Sequence, residues 1–527
     1  MMATSTMLIS QRLGLVWAGV ALGVGFGAIA PAALADTIPL VNPVPEAESS
    51  GAESAPAAVE DTEEPAEVVS LTLTDLLNLT LEGNRELRNQ ALGRIVQRQQ
   101  LAAAEQTFNP RLTPTLRVDA SRSRSGNGGF VESTPGSVLL GGSDTDLDQQ
   151  VRLDTAVTTR LGTSFELGLT PFEGGQSLQF RVSQPLLRGF GTAVNEAPLN
   201  QARLGETRNQ LALRSTVIDT LTTAILSYND LINAQAQVEI QAQALERRRQ
   251  QLDILQALVE AGRRAPIDLY DPERSLADAQ RSLVDAQNQL DQANSALLNL
   301  IGTDRNLRFV ASVETIDELF DAAAAQLTTY QPEALVTLAL AQSNDYQQAQ
   351  LQRQQQELDL LVAQDNLRWQ LDAVADGTLG DGSRSAVGLV ATRTFGDPAP
   401  ETARLTSDIA LQQQDNTLAQ LQDQIRNDVV AGLSEAQASR LQVEAAERAT
   451  LNARRQLEAA QEQFRLGRGN ITLFQLIDQE ETLVTAETRE LAARIAFLNS
   501  VAQLEQTVGI TLDRWAAELE IGPELQE

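Results

Sequence analysis

Leu204, Leu211, Ile218, Ile225 and Ile232 recur every seven residues, and after a one-residue slip the beat resumes at Val238, Leu245, Leu252 and Val259. The pattern predicts one helix from Ala197 to Gly262, with no Pro after Pro198; at 1.5 Å per residue it is roughly 95–100 Å long. That exceeds what a globular domain accommodates and reads as a coiled-coil shaft. Leu411, Leu418 and Ile425 predict a second shaft from Glu401 to Leu466. Each shaft ends in a Gly-Arg turn and is followed by a returning helix. The first, 268–301, carries Leu269, Leu276, Leu283, Leu290 and Leu297 on one seam and Ala279, Ala286, Ala293 and Leu300 on the other. The second, 472–509, has Ile477, Val484, Leu491 and Leu498 in register. Short turns and small residues alternating with Leu predict antiparallel hairpins.

Between the helices the period falls to two. Leu112, Pro114, Leu116, Val118 and Ala120 alternate with polar residues, and so do Val151, Leu153, Val157 and Leu161. Phe165, Leu167 and Leu169, then Leu178, Phe180 and Val182, continue the pattern; Pro114 indicates an edge or an early strand position. Ser121–Asp148 reads as a long Gly/Ser/Asp loop. In the second half, strands are predicted from about 368 to 395. Apolar-to-lipid, polar-to-water alternation is what a membrane barrel wall needs.

The chain is two copies of one plan. At an offset of 205, Gln237-Val238-Glu239 matches Gln442-Val443-Glu444 and Gly262-Arg263 matches Gly467-Arg468, while Gly302 matches Gly509 at an offset of 207. The expected division is an export signal at 1–35, a disordered acidic Pro-rich linker at 36–69 and a first repeat at 70–302. An inter-repeat segment follows at 303–331, with a short helix near Ile316–Gln326, then a second repeat at 332–509 and a short tail at 510–527. The signal rests on Arg12, the apolar run Leu13–Ala30 and Ala33-Leu34-Ala35 before Asp36. No later stretch has the ~20 apolar residues of a spanning helix, so membrane entry would be by strands.

Composition narrows the chemistry. The formal net charge is −30, which makes nucleic acid an unsuitable partner. His and Cys are absent and every basic residue is Arg, so a His-based triad, a thiolate metal site and a Schiff base are all excluded. An enzyme is therefore disfavoured, and no cofactor or metal is expected. One chain's strands cannot close a barrel and an open edge cannot sit in lipid, so several chains must share one.

Strand pairs inserted between long helices, twice over, behind an export signal, resemble the TolC family of outer-membrane efflux and secretion channels. The local stretches are Phe108–Leu116 (FNPRLTPTL), Ser183–Gly191 (SQPLLRGFG), Ala261–Leu269 (AGRRAPIDL) and Phe464–Asp478 (FRLGRGNITLFQLID). The resemblance covers about residues 70–510. It implies an α+β fold in which outer-membrane β-barrel strands join long coiled-coil helices in a trimeric α-barrel. The homotrimer would place four strands per chain in one twelve-stranded barrel in outer-membrane lipid and form a helical tunnel across the periplasm. Residues 303–331 would form an equatorial belt. A periplasmic adaptor and an inner-membrane ABC or RND transporter would dock at the tips, for passive export of drugs, proteins or glycolipids. The alternatives are a periplasmic adaptor, which carries a single hairpin, and a purely structural coiled-coil protein, against which the strands speak. Between Pro110 and Pro185 there is more than two strands' worth of chain. The surplus is either an enlarged extracellular hairpin, the preferred reading, or an additional pair in the wall. The heptad slip at Ile232–Val238 is expected to mark the passage from the membrane-proximal to the tip-proximal half of the tunnel, with a change of helix neighbours.

Family channels close at the helix tips, where aspartate rings at the start of the last helix bind cations. Matching FQLID to that motif puts Asp478 on the second aspartate and Gln475 on the first, so the first ring is neutral. Asp268 matches a family aspartate that latches neighbouring helix pairs, and Asp268 and Asp271 fall opposite Gln475 and Asp478. The plainer reading of each acid is a helix-start residue complementing the helix dipole. Arg263, Arg264 and Arg468 are candidates for adaptor or neighbour contacts, or are solvated tip charges.

Overall fold

A computed structural model describes residues 67–122, 145–170, 177–303, 307–311, 315–380, 383–466, 472–516 and 519. The expected export signal and most of the acidic linker lie outside the described residues, as does the middle of the Ser121–Asp148 loop. The chain opens with strand β1 (Glu67–Leu71) and helices α1 (Leu73–Gly83) and α2 (Arg85–Glu105). Four strands follow: β2 (Arg111–Arg122), β3 (Thr145–Thr158), β4 (Ser164–Thr170) and β5 (Ser177–Pro185). A single turn, α3 (Thr192–Asn195), leads into the 64-residue α4 (Ala197–Glu260), and α5 (Tyr270–Ile301) returns. Then come β6 (Leu307–Ala311), α6 (Thr315–Leu327), α7 (Pro332–Gln342) and α8 (Asn344–Asp365). Strands β7 (Gln370–Leu379) and β8 (Arg384–Thr392) precede the 68-residue α9 (Ala399–Leu466). The chain ends in α10 (Leu473–Val508) and α11 (Thr511–Trp515).

The helices stand side by side in a row. Beside the sheet the order is α2, α4, α8, α9; in the other half it is α5, α4, α10, α9, so that α4 and α9 run through both. Exposed apolar side chains gather on the flanks of this row: Leu92, Ile95 and Val96 on α2, and Leu405, Ile409, Val430, Leu441 and Leu451 on α9. The central shaft α4 instead buries Val217, Leu221, Tyr228, Leu231 and Ile232. A solid bundle would bury the flanks as well; an open row leaves them for a neighbour.

Between the two halves sits a belt that the sequence only partly predicts. Residues 67–69, assigned to the disordered linker, belong to β1, which pairs in parallel with β6, an unforeseen strand of the inter-repeat segment. The outer edge of β6 is satisfied by side chains rather than by a third strand. Gln235 of α4 donates to the Phe309 carbonyl and accepts from the Ala311 N–H, each at 3.1 Å. Asn294 of α5 donates to the Leu307 carbonyl and accepts from the Phe309 N–H, each at 2.8 Å. This corrects the expectation for the heptad slip. The shaft keeps α10 beside it through Ile232–Val238, with Asn229 bonded to Asn499 at 2.8 Å before the slip and Gln237 to Thr488 at 3.4 Å after it. The change of neighbours comes earlier. Arg208 bonds Gln352 and Gln355 of α8, whereas Asp219 accepts from Gln506 of α10. It is set by where α10 ends and where α7 gives way to α8. The slip instead turns a polar residue, Gln235, toward the belt strand.

The duplication reappears as a joint. The first-half helix breaks at Asn84, whose side chain caps α2 through the N–H groups of Glu86 and Leu87 and donates to the Leu300 carbonyl at 3.1 Å. The second-half helix, read from sequence as continuous from Pro332 to about Asn366, breaks at Ser343, which caps α8 through the Tyr346 N–H at 3.2 Å. Each break abuts the left-handed glycine that ends a returning helix. Gly302 (φ 71°) lies against Gly83, and Gly509 (φ 84°) lies against Gln342. A Cβ on Gly83 would stand 2.0 Å from the Ile301 carbonyl oxygen.

The second sheet has six strands in the order β2-β3-β4-β5-β7-β8, every neighbouring pair antiparallel. Pro114 lies on the edge strand β2, where a missing N–H is tolerated. The β3–β4 turn is at the helical end of this sheet. Gly191 N–H donates to the Leu161 carbonyl at 3.3 Å, Arg160 pairs with Glu196 at 3.3 Å, and Gly162 (φ 92°) is so close to the Gly189 carbonyl that a Cβ would come within 2.4 Å. The preferred reading of an enlarged hairpin at the far end therefore fails, because the surplus chain returns to the helices before turning.

Replacing a helical Gly by Ala ordinarily gains about 1 kcal/mol. Gly83→Ala is expected to do the opposite, losing about 1–3 kcal/mol by overpacking against Ile301, measured as a lower midpoint of denaturant unfolding.

Candidate functional site: the hairpin tips and the ties between hairpins

At the first tip α4 ends on Gly262 in the left-handed region (φ 68°), and the Arg263 N–H reaches back to the Leu258 carbonyl at 2.9 Å. This closes the free carbonyls of the last turn, as a C-terminal Gly does. The Arg263 side chain is exposed. Asp268 does not begin the returning helix; it sits in a tight 3₁₀ turn, Pro266–Leu269, and its carboxylate lies 3.9 Å from Arg264 in the preceding loop. Asp271 is exposed in the first turn of α5.

At the second tip Arg468 lies outside the described residues. Thr472 caps α10, and Gln475 completes a capping box: its side-chain oxygen accepts from the Thr472 N–H at 2.9 Å while the Thr472 hydroxyl accepts from the Gln475 N–H at 3.3 Å. The Gln475 side chain is thus engaged in starting its own helix. The T-x-x-Q signature of that box is legible in the sequence. Asp478, one turn further on, is exposed. Ile267, Tyr270 and Phe474 are large apolar side chains left exposed at the tips, a feature that heptad reasoning does not single out.

Sequence reasoning also missed the ionic ties that join the two hairpins within the chain. Glu480 of α10 is only 2% exposed; it pairs with Arg248 of α4 at 3.6 Å and accepts from Gln251. Two turns further along α10, Glu487 takes Arg454 of α9 at 3.2 Å and Arg247 of α4 at 3.9 Å. Arg494 pairs with Glu447 of α9 at 3.0 Å, with Glu490 at 3.1 Å and with Asp317 of the belt. Burial pushes the Glu480 carboxyl up against the pull of Arg248, Arg247 and Gln251, and burial pushes Arg248 down. No sequence motif marks this ladder, because every tie except Glu490–Arg494 joins residues more than 30 positions apart.

The chain is thus a row of paired helices, open at both flanks and capped by an antiparallel sheet with one apolar face. Residues 76–303, somewhat under half of the chain, match the outer membrane efflux protein family. Solved channels share the fold. The CusC channel, from crystal structures concerned with folding and transmembrane channel formation, superposes with a TM-score of 0.61 at 15% identity over 85% of this chain and 95% of its own. The CmeC outer membrane channel of Campylobacter jejuni gives 0.60 at 13% identity over 92% and 98%. The outer membrane protein VceC of Vibrio cholerae gives 0.59 at 13% over 83% and 96%. A comparison with curated protein sequences gives no match.

Because the Glu480 value is raised in the folded chain, its proton stabilises the fold fully below the ordinary 4.5, and that contribution is lost as pH rises through the raised value. Glu480→Leu alone strands Arg248 and is expected to cost about 3 kcal/mol, while Glu480→Leu with Arg248→Met recovers most of the loss. Denaturant unfolding of the three proteins at neutral and acidic pH checks both statements; the double variant should also lose the acid-range gain.

Proposed function

We propose that three copies of this chain form the passive exit duct of a tripartite efflux pump or type I secretion system, carrying drugs, proteins or glycolipids across periplasm and outer membrane. The open helical row carries this reading. Its exposed apolar residues lie on α2 and α9, the helices with a free side, as expected if the α2 and α5 flank of one copy packs on α9 of the next. Exposed Ile267, Tyr270 and Phe474 at the tips suit apolar docking of a periplasmic adaptor that links the duct to an inner-membrane ABC or RND transporter. The cargo would then be set by that transporter.

The gate is assigned to Asp478. Its exposed carboxylate, repeated threefold around a narrowing, would focus negative potential and favour cations. Gln475 supports this acid by fixing the start of α10 rather than by forming a second ring. Asp268 and Asp271 hold the facing tip, with Asp268 tied to Arg264. Arg263 acts there as a solvated charge.

The purified mature protein should run as a trimer in detergent and give discrete conductance steps in planar bilayers; a monomer without conductance contradicts the duct. Asp478→Ala should weaken cation selectivity and relieve block by divalent cations, with little change in trimer yield. Unchanged selectivity and block would remove Asp478 from the gate.

A further inference from the structure

We propose that the β3–β4 hairpin stands in the membrane wall, so that each chain contributes six strands and the duct closes on eighteen rather than twelve. The inference rests on the trimeric duct proposed above and concerns only how its wall is built.

Three observations carry it. The first is the position of the turn. Residues 159–163 are locked onto the start of the shaft by the Gly191–Leu161 bond, the Arg160–Glu196 pair and the Gly162–Gly189 approach, and the Arg160 guanidinium lies 6.0 Å from the Phe108 ring at the end of the α2 arm. A decoration of the outer loop would turn at the opposite end of the sheet. Here β3 descends all the way to the helices and β4 climbs back.

The second is the unbroken ladder. Leu153 lies opposite Leu169, Thr155 opposite Leu167 and Val157 opposite Phe165. The same three β4 residues lie opposite Leu178, Phe180 and Val182 of β5, which in turn lie opposite Leu379, Gly377 and Ala375 of β7. Residues opposite one another share a face, so one apolar face runs across the hairpin without a gap. Phe165, Leu167 and Leu169 are exposed on it, as are Val387 and Leu389 on β8 at 86% and 69%. The opposite face carries Arg152, Asp154, Glu166, Arg181 and Asp376, which line a cleft of about 380 Å³. The Arg152–Asp154 bond, 2.7 Å long, spans that cleft's margin. The charged side is the one that faces water in a barrel. Removing β3 and β4 from the wall would leave β2 and β5 without the partners they have and would put two lipid-patterned strands in water.

The third is parity. Six strands in strict antiparallel order leave β2 and β8 at the two edges running in opposite senses, so β8 of one copy meets β2 of the next antiparallel, and three copies of this chain close without a parallel seam. At ~4.8 Å between strands and ~40° of tilt, eighteen strands enclose a backbone tube about 36 Å across, against about 24 Å for twelve. The added pair brings charges of both signs to the lumen, a mixed girdle rather than a single-sign filter.

The chain has no Cys, so single-Cys variants report position directly. Full-length Phe165→Cys, Leu167→Cys, Ser164→Cys and Glu166→Cys proteins, with Val387→Cys and Ala386→Cys on β8 as controls, are treated in outer membranes with a charged, membrane-impermeant methanethiosulfonate, and only assembled trimers are scored. Ser164→Cys, Glu166→Cys and Ala386→Cys should react at least about tenfold faster than the apolar-face variants of their strands. Two positions on each face of β4 guard against one variant that does not assemble. Rapid labelling of both β4 faces while β8 still alternates overturns the proposal and leaves the duct intact. Loss of alternation on β8 as well overturns the wall and the duct together.

Discussion

Every N–H and C=O along the free edges of β2 and β8 needs a partner, and hydrocarbon supplies none. That constraint shapes the rest of the molecule. In the trimeric duct proposed above the sheet is completed by other copies, and the helices beneath are arranged for the same neighbours. The open row of helices is the counterpart of the open sheet, because both leave their flanks unfilled within one chain. Apolar residues on α2 and α9 and the apolar strand face are left exposed in the isolated chain, and the proposed duct covers them with its other copies and with lipid.

What keeps so long and thin a wall in register is the belt. Tyr228, wholly buried in mid-shaft, donates to the Leu71 carbonyl of β1 at 3.1 Å, while Gln235 and Asn294 grip β6. Just above the belt, two glycine-capped joints, Gly83 against Gly302 and Gln342 against Gly509, repeat the same device in each half. Below it the Arg248–Glu480 and Arg247–Glu487–Arg454 ties hold the first hairpin to the second. Burial raises the Glu480 carboxyl even within these ties.

The shafts and returning helices were legible because heptad periodicity is a local signal, and the alternation of Phe165, Leu167 and Leu169 with Ser164, Glu166 and Gly168 was equally plain. What stayed hidden depends on partners far along the chain. β1 and β6 are five-residue strands whose pairing spans more than 200 positions, and neither alternates strongly enough to be read alone. The Ser343 break lies in a sequence that still looks helical on both sides; it is set by Gly509 arriving against Gln342. The location of the β3–β4 turn is fixed by contacts about 30 positions away along the chain, Arg160 with Glu196, Leu161 with Gly191 and Gly162 with Gly189. At the tips, Gln475 reads as half of a capping box as readily as a substituted aspartate, and the structure shows that box formed. The Glu480 pocket has no local signature.

The central claim is that one chain is a third of a closed wall whose strand count follows from its own sheet. A cryo-electron reconstruction of the full chain in lipid nanodiscs, sectioned through the membrane, tests this most directly. The account predicts a threefold ring of eighteen strands with β3 and β4 between β2 and β5. A closed ring of twelve, with residues 145–170 outside it, would contradict it.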